Sequence, residues 1–347
     1  MSNARQAAYF YRSTLGLTPL AYAGLETGLR DRASYVLQRR NVRFVLTAAL
    51  TPDHPIATHV ARHGDGVKDI ALRVRDAAAA YQAAMLNGAT SVHGPTTAED
   101  RDGRVVKASI ATYGDTIHSF IEREGYKGPF MPGYQTIAQP GPVPETGIAA
   151  IDHIVGNVEL GHMERWVNYY RDVLGFKQLV HFDDNDISTE YSALMSKVMQ
   201  NGTGKVKFPL NEPAGGRRKS QIEEYLDYYG GPGVQHIALA TGDICATVDA
   251  LRTAGIPFIS VPDSYYDELE QRVGAIDESR QDLKERGILV DRDEEGYLLQ
   301  IFSQPMQDRP TLFIEIIQRK GSQGFGKGNF KALFEAIERE QDRRGNL

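Results

Sequence analysis

The sequence predicts an α+β protein made of duplicated βαβββ modules that form two half-open barrel domains, with a C-terminal helix over the second. Three observations carry this expectation. A long repeat runs through both halves, a shorter repeat lies inside the second half, and the proline-rich run Pro140-Gly141-Pro142-Val143-Pro144 separates the halves. At 347 residues the chain also exceeds what one ordinary core fills, so length alone favours two domains.

In the first half, Tyr11-Arg12-Ser13-Thr14-Leu15-Gly16-Leu17 closes an amphipathic helix on a glycine suited to the left-handed cap, and the strand-like run Leu20-Ala21-Tyr22 follows. Tyr170-Arg171-Asp172-Val173-Leu174-Gly175-Phe176 repeats the pattern in the second half, followed by Leu179-Val180-His181-Phe182. Further along, Gly64-Asp65-Gly66-Val67-Lys68-Asp69-Ile70-Ala71-Leu72 matches Gly231-Pro232-Gly233-Val234-Gln235-His236-Ile237-Ala238-Leu239. Each copy leads into a helix, ending at Asn87-Gly88 or Ala254-Gly255, and Arg123-Glu124-Gly125 and Arg319-Lys320-Gly321 close the copies.

Within the second half, Ala150-Ile151-Asp152-His153-Ile154-Val155 resembles Gly233-Val234-Gln235-His236-Ile237-Ala238. Each half therefore reads as two modules whose strands close on one another to bury their apolar faces. The boundaries expected are residues 1–140 for a domain without metal, 145–320 for a metal-binding domain, and 321–347 for a C-terminal lid. In that last segment Leu333, Phe334 and Ile337 give a helix from Lys331 to Arg343 an apolar stripe that must dock. The glycine-rich stretch before it lacks P-loop spacing, so a pocket wall is expected rather than a phosphate cradle.

Composition narrows the function. Hydrophobic residues at 41% and charged residues at 24% are a globular mix. No apolar run reaches the roughly 18 residues of a spanning helix, and the first residues lack a signal-peptide layout, so a cytoplasmic protein with no membrane partner is expected. A net charge of −6 argues against nucleic acid, with Gly215-Gly216-Arg217-Arg218-Lys219 the one basic cluster of note. The single cysteine, Cys245, excludes an intramolecular disulfide or a thiolate-rich metal site and is expected to be an inert core thiol.

His153 and His236 occupy equivalent positions in two pseudo-symmetric strands, so closing the modules brings both imidazoles to one interior surface. Glu315 lies in the apolar strand Thr311-Leu312-Phe313-Ile314-Glu315-Ile316-Ile317, where an isolated carboxylate is costly unless paired, protonated or on a metal. The first half provides an internal control: Asp69 stands at the position of His236, and Ser119 at that of Glu315. A fold requirement would have kept His236 and Glu315 in the first copy too; a metal explains the presence of the set in one. Two imidazoles and a carboxylate form the facial triad of non-haem iron(II) oxygenases, while zinc hydrolysis remains the chemical rival.

Several longer motifs now join these residues: Pro209-Leu210-Asn211-Glu212-Pro213, Lys219-Ser220-Gln221-Ile222, Leu299-Gln300-Ile301-Phe302 and Gly324-Phe325-Gly326-Lys327-Gly328-Asn329-Phe330. With them the chain, from Asn3 to Leu347, resembles the 4-hydroxyphenylpyruvate dioxygenase family of the vicinal-oxygen-chelate superfamily. The resemblance implies one Fe(II) per chain on His153, His236 and Glu315, with 4-hydroxyphenylpyruvate and O2 converted to homogentisate and CO2 in tyrosine catabolism. It implies a substrate pocket of Ser196, Asn211, Gln221, Gln235, Gln300, Phe302, Phe313, Phe325, Asn329 and Phe330, and a homo-oligomer, dimer or tetramer. Amides and a hydroxyl orient a phenol and rings sandwich an arene, although Phe302 and Phe313 would fill a strand core anyway and Asn211 would serve as a turn cap. Two alternatives stay open, 4-hydroxymandelate synthase chemistry on the same ligands and a ligand-binding member without chemistry. The family begins with a strand ahead of the helix containing Gln6-Ala7-Ala8-Tyr9-Phe10-Tyr11; that strand is missing here, so an incomplete first sheet is expected.

Overall fold

The computed structural model describes residues 1–138, 141–182, 193–215 and 219–346. Residues 216–218 of the basic cluster and Pro140 of the linker therefore lie outside the described residues.

The first half begins with α1 (Ala4–Leu15), whose N-terminus is capped by the Asn3 side chain accepting from the Gln6 amide. The helix stops at Gly16, at φ 68°, and a Cβ there would collide with the Pro144 carbonyl; the glycine thus ends the helix and lets the inter-half linker pass against it. Strands β1 (Thr18–Ala23), β2 (Arg32–Arg39) and β3 (Val42–Ala49) follow, then α2 (Pro55–His63), β4 (Asp69–Arg73), α3 (Ala77–Leu86), β5 (Ser91–Asp100), β6 (Gly103–Ala111), β7 (Ile117–Glu122) and the short β8 (Gln135–Thr136).

The second half opens with a strand, β9 (Ile148–Asn157), and then repeats the order: α4 (Met163–Leu174), β10 (Lys177–Phe182), β11 (Ala193–Gln200), β12 (Lys207–Ala214), α5 (Gln221–Tyr229), β13 (Gly233–Thr241) and α6 (Ile244–Thr253). Three short helices are inserted, α7 (Ser264–Asp267), α8 (Leu269–Val273) and α9 (Arg280–Arg286), before β14 (Leu289–Arg292), β15 (Tyr297–Phe302), β16 (Phe313–Lys320) and α10 (Phe330–Arg344). Helix α4 buries Met163, Trp166, Val167, Tyr170 and Val173, the helical spacing of one apolar face, and ends at Gly175 in the same left-handed conformation as Gly16.

The halves differ in one respect that decides their sheets. In the second, the eight strands form one mixed sheet ordered β10-β11-β12-β9-β13-β16-β15-β14, in which β9 joins two four-stranded blocks. In the first, no strand precedes α1 among the described residues, and the equivalents stay apart as β3-β2-β1-β8 and β4-β7-β6-β5. One core nevertheless runs through both halves, from Tyr11 and Leu15 of α1 to Tyr170 and Phe208 of the second half. Cys245 differs from expectation: on the first turn of α6 it is partly exposed, because the buried face of that helix is Ile244, Thr247, Val248 and Leu251.

Candidate metal centre

Three adjacent strands deliver the expected trio. His153 on β9 pairs with Ala238 on β13, which pairs with Glu315 on β16, which pairs with Phe302 on β15. Neighbouring strands lie about 4.8 Å apart, so the long side chains of His153 and Glu315 must lean toward each other over the methyl of Ala238, which is fully buried. His236 enters from one row along, where it pairs with Phe313. One ligand atom from each of His153, His236 and Glu315 lies within 4.8 Å of the others, and all three residues are buried.

The imidazoles are held from behind. His153 Nδ1 is 2.8 Å from Asp152 Oδ1, and Asp152 receives two bonds of 2.8 Å from the Arg319 guanidinium. Arg319 also donates to the Ser322 and Gly324 carbonyls, tying the loop that carries Phe325 to the site. His236 Nδ1 is 3.0 Å from Gln235 Oε1. A residue adjacent to a ligand in a strand ordinarily points to the opposite face, and here both exceptions have the same cause. The β9–β13 register shifts between Ala238 and Leu239, skipping Asp152, and again between Val234 and His236, skipping Gln235. Each skipped residue is a bulge that turns its acceptor back onto the neighbouring imidazole.

That arrangement fixes what faces the centre. A carboxylate and an amide oxygen only accept, so each Nδ1 carries the proton and each Nε2 presents a lone pair. Glu315 Oε2 stands 3.1 Å from His153 Nε2 and 3.3 Å from His236 Nε2. With both imidazoles neutral, three acceptors thus converge without a donor. Bonds of about 2.1 Å at right angles place ligand atoms roughly 3.0 Å apart, so these separations suit adjacent positions of an octahedral cation. Burial works against charge on Glu315, but the two imidazoles outweigh it and bring its pKa to about 2. Burial also lowers His236, whereas in His153 the Glu315 and Asp152 carboxylates outweigh burial and raise it. Asp152 beside His153 is charged whereas Gln235 beside His236 is neutral, and the charge on His153 lowers His236 further, so positive charge is favoured on the His153 side.

Aromatic rings wall the centre. Phe313 stacks on His236 with centroids 4.8 Å apart, Phe302 meets it edge-on at 6.0 Å, and Phe325 meets His153 edge-on at 5.1 Å. Behind Phe302 and Phe313 opens a small cleft of about 40 Å³, which Gln221, Gln235, Ile259, Thr311 and Ile337 also line. Of the ten expected pocket residues, four line that cleft: Gln221, Gln235, Phe302 and Phe313. The other six do not line it. Ser196 and Asn211 are buried cross-strand partners on β11 and β12, and Phe330 packs with Phe325 and Phe334 in a separate apolar cluster. Gln300 and Asn329 are buried, and neither Gln300 Oε1 nor Asn329 Nδ2 has a hydrogen-bond partner among the described residues. Gly326, at φ 78°, lies so close over the Gln300 amide that a Cβ would collide with it.

Asp152, Arg319 and Ala238 were not singled out in the sequence as site residues. Two signals were present: each ligand histidine follows an acceptor side chain, and the Arg-x-Gly pair closes both copies.

A family model described as the Glyoxalase/Bleomycin resistance protein/Dioxygenase superfamily matches residues 150–301. The chain is 48% identical over 360 residues to 4-hydroxyphenylpyruvate dioxygenase of Yarrowia lipolytica, covering 100% of this chain and 91% of that protein. To 4-hydroxyphenylpyruvate dioxygenase of Caenorhabditis elegans it is 48% identical over 358 residues, with the same coverage of 100% and 91%. A solved variant of 4-hydroxymandelate synthase from Streptomyces coelicolor matches with TM-score 0.87 and 34% identity, over 98% of this chain and 96% of that one.

Proposed function

The chain belongs to the 4-hydroxyphenylpyruvate dioxygenase family, and from that membership we propose that it converts 4-hydroxyphenylpyruvate and O2 to homogentisate and CO2 with Fe(II) on His153, His236 and Glu315. The observation that carries the assignment is the convergence of three acceptors, 3.1 and 3.3 Å apart, against a wall of aromatic rings. Iron(II), when bound, supplies the open positions and the redox chemistry that a 2-oxo acid and O2 require.

The chain's own residues do the rest. Asp152 and Gln235 keep both Nε2 lone pairs aimed inward, and Arg319 keeps Asp152 ionised and in place. Phe302, Phe313 and Phe325 exclude water and offer faces and edges to an arene. The unpartnered Gln300 Oε1 accepts and the unpartnered Asn329 Nδ2 donates, the two functions that a phenol hydroxyl matches. Ser196, Asn211, Gln221 and Phe330 complete the proposed pocket. We place the division of the chain in the 140–145 linker, and take the protein to be a cytoplasmic homo-oligomer, dimer or tetramer; no helix among the described residues is long and apolar enough to cross a membrane.

A second reading, oxidation at the benzylic carbon to 4-hydroxymandelate, is favoured by the 34% identity to the synthase structure. The rings of Phe302, Phe313 and Phe325 favour ring attack instead, because they press the arene toward the metal, and placement to within about 1 Å decides reactivity. Chromatography after incubation with 4-hydroxyphenylpyruvate, Fe(II), ascorbate and O2 decides: homogentisate is expected, a dominant 4-hydroxymandelate peak overturns the product, and no O2 uptake by folded, iron-loaded protein favours a ligand-binding role.

A further inference from the structure

A second cluster with the donor chemistry of a metal site lies far along the fold from the first. His59 and His63 stand one turn apart on α2, and Asp115 lies in the turn between β6 and β7; one donor atom from each is within 4.8 Å of the others. His63 is buried, and Asp115 keeps 45% of its side chain exposed, so solvent reaches the cluster from one side only.

The geometry of His63 defines the problem. Its Nδ1 is 2.6 Å from the Tyr229 carbonyl and its Nε2 is 2.7 Å from Asp115 Oδ2. The carbonyl only accepts, so Nδ1 carries a hydrogen, and Nε2 faces a carboxylate oxygen with a proton or a cation required between them. A carbonyl behind an imidazole is also the usual support of a metal-bound histidine. His59 adds an independent sign. Its ring lies 4.5 Å from that of His63, and its Nε2 is sealed from solvent with no hydrogen-bond partner among the described residues. A histidine with a buried, unpartnered ring nitrogen, whose ring lies beside an imidazole paired to a carboxylate, has a lone pair to offer a cation.

We propose that His59, His63 and Asp115 form a second metal site that binds a divalent transition ion, zinc in the first instance, with solvent in the fourth position. Two imidazoles and one carboxylate suit zinc at bonds of about 2.0–2.2 Å. Asp115 must move back slightly to admit the ion. Arg62 Nη1, 3.5 Å from Asp115, and Lys68, on the Asp115 carbonyl, compete for the same charge and make this the weaker of the two sites. The ion would tie α2 to the turn between β6 and β7 and so fix His63, whose bond to the Tyr229 carbonyl crosses to the second half, which makes this a structural site rather than a reaction centre.

The test counts metal on the full chain. Iron-loaded protein is exposed to Zn2+, desalted, and assayed for both metals by mass spectrometry, alongside H59Q and D115N. Two metals per chain are expected for the wild type and one for each variant, the retained iron showing that the variants are folded. Co2+ in place of Zn2+ is expected to give a d–d absorption band that H59Q loses. A total of one metal per wild-type chain, including the case where zinc merely displaces iron, overturns the proposal, as does a second equivalent that persists unchanged in both variants.

Discussion

In the second half, His236 pairs with Phe313 and Glu315 stands two residues further on; in the first, Asp69 pairs with Ile117 and Ser119 stands two residues further on. The match extends across the next strand, where Ser109 opposes Ser119 as Phe302 opposes Glu315, and Lys107 opposes Ile121 as Gln300 opposes Ile317. The first half answers the same geometry with an internal cation. The Lys107 ammonium lies 3.2 Å from Asp69 Oδ2, to which Ser119 donates at 2.6 Å. Lys107 and Asp69 keep 39% and 26% of their side chains exposed, against 4% and 3% for His153 and Glu315. A partly solvated lysine neutralises one carboxylate at small cost, whereas three sealed acceptors have no such remedy. The duplicated scaffold therefore tolerates either solution, and at these equivalent positions only the second half needs an ion from outside.

The largest effect that can break this comparison comes from Glu315→Ala. Iron is expected to fall from one equivalent to trace, with turnover reduced by at least about 1,000-fold. Wild-type-like turnover in a metal-replete assay would falsify the role of Glu315. Next comes the row itself. Ala238→Leu places a branched side chain where His153 and Glu315 lean together, so metal retention should be lost, together with about 1–3 kcal/mol of stability from overpacking. The equivalent change in the first half, Ala71→Leu, should leave iron content untouched; equal loss in both variants would mean that general destabilisation, not the centre, is being measured. A smaller effect is expected from Asp152→Asn, which keeps an acceptor for His153 but removes the charge that Arg319 neutralises. Metal affinity should weaken by roughly 10–100-fold, read from a chelator competition, and an unchanged affinity would leave Asp152 a merely structural partner of Arg319.

Much of this was legible in the sequence. The repeat aligned Asp69 with His236 and Ser119 with Glu315, and the strand registers place them in equivalent rows. His153 and His236 could be chosen because they hold equivalent positions in pseudo-symmetric strands, and Glu315 because it interrupts an apolar one. What supports them could not be read, because the period-two pattern of a strand sends Asp152 and Gln235 to the opposite face, and only the two bulges bring them back. Ala238 matters for the atoms it lacks, and composition does not mark such a residue. The motif around Phe325 to Phe330 located a loop over the site, but not that Phe330 turns toward another cluster while Asn329 is buried.

The smallest predicted effect lies on the other face of the same strand pair. His118 on β7 pairs with Ile70 as Ile314 pairs with Ile237 in the second half, so one copy buries an imidazole where the other buries an aliphatic side chain. His118 Nδ1 is 3.1 Å from the Ile70 carbonyl and Nε2 is 2.8 Å from the Tyr170 hydroxyl, while its ring stacks on Phe208. Burial pushes its pKa down to about 4, against about 6.5 in an unfolded chain. Between those values the unfolded chain holds a proton that the folded one refuses, so stability is complete above about pH 6.5 and declines as the pH falls toward 4, on the order of 1 kcal/mol per pH unit from this group. Because Tyr170 and Phe208 belong to the second half, the loss should appear as weakened contact between halves. Urea unfolding of metal-free protein across this range, compared with His118→Ile, isolates the contribution: the variant should be less stable at neutral pH, since the Ile70 carbonyl loses its donor, yet depend less steeply on pH. Parallel profiles for the two proteins would show that the histidine is already charged in the fold, and that the copies differ here in packing alone.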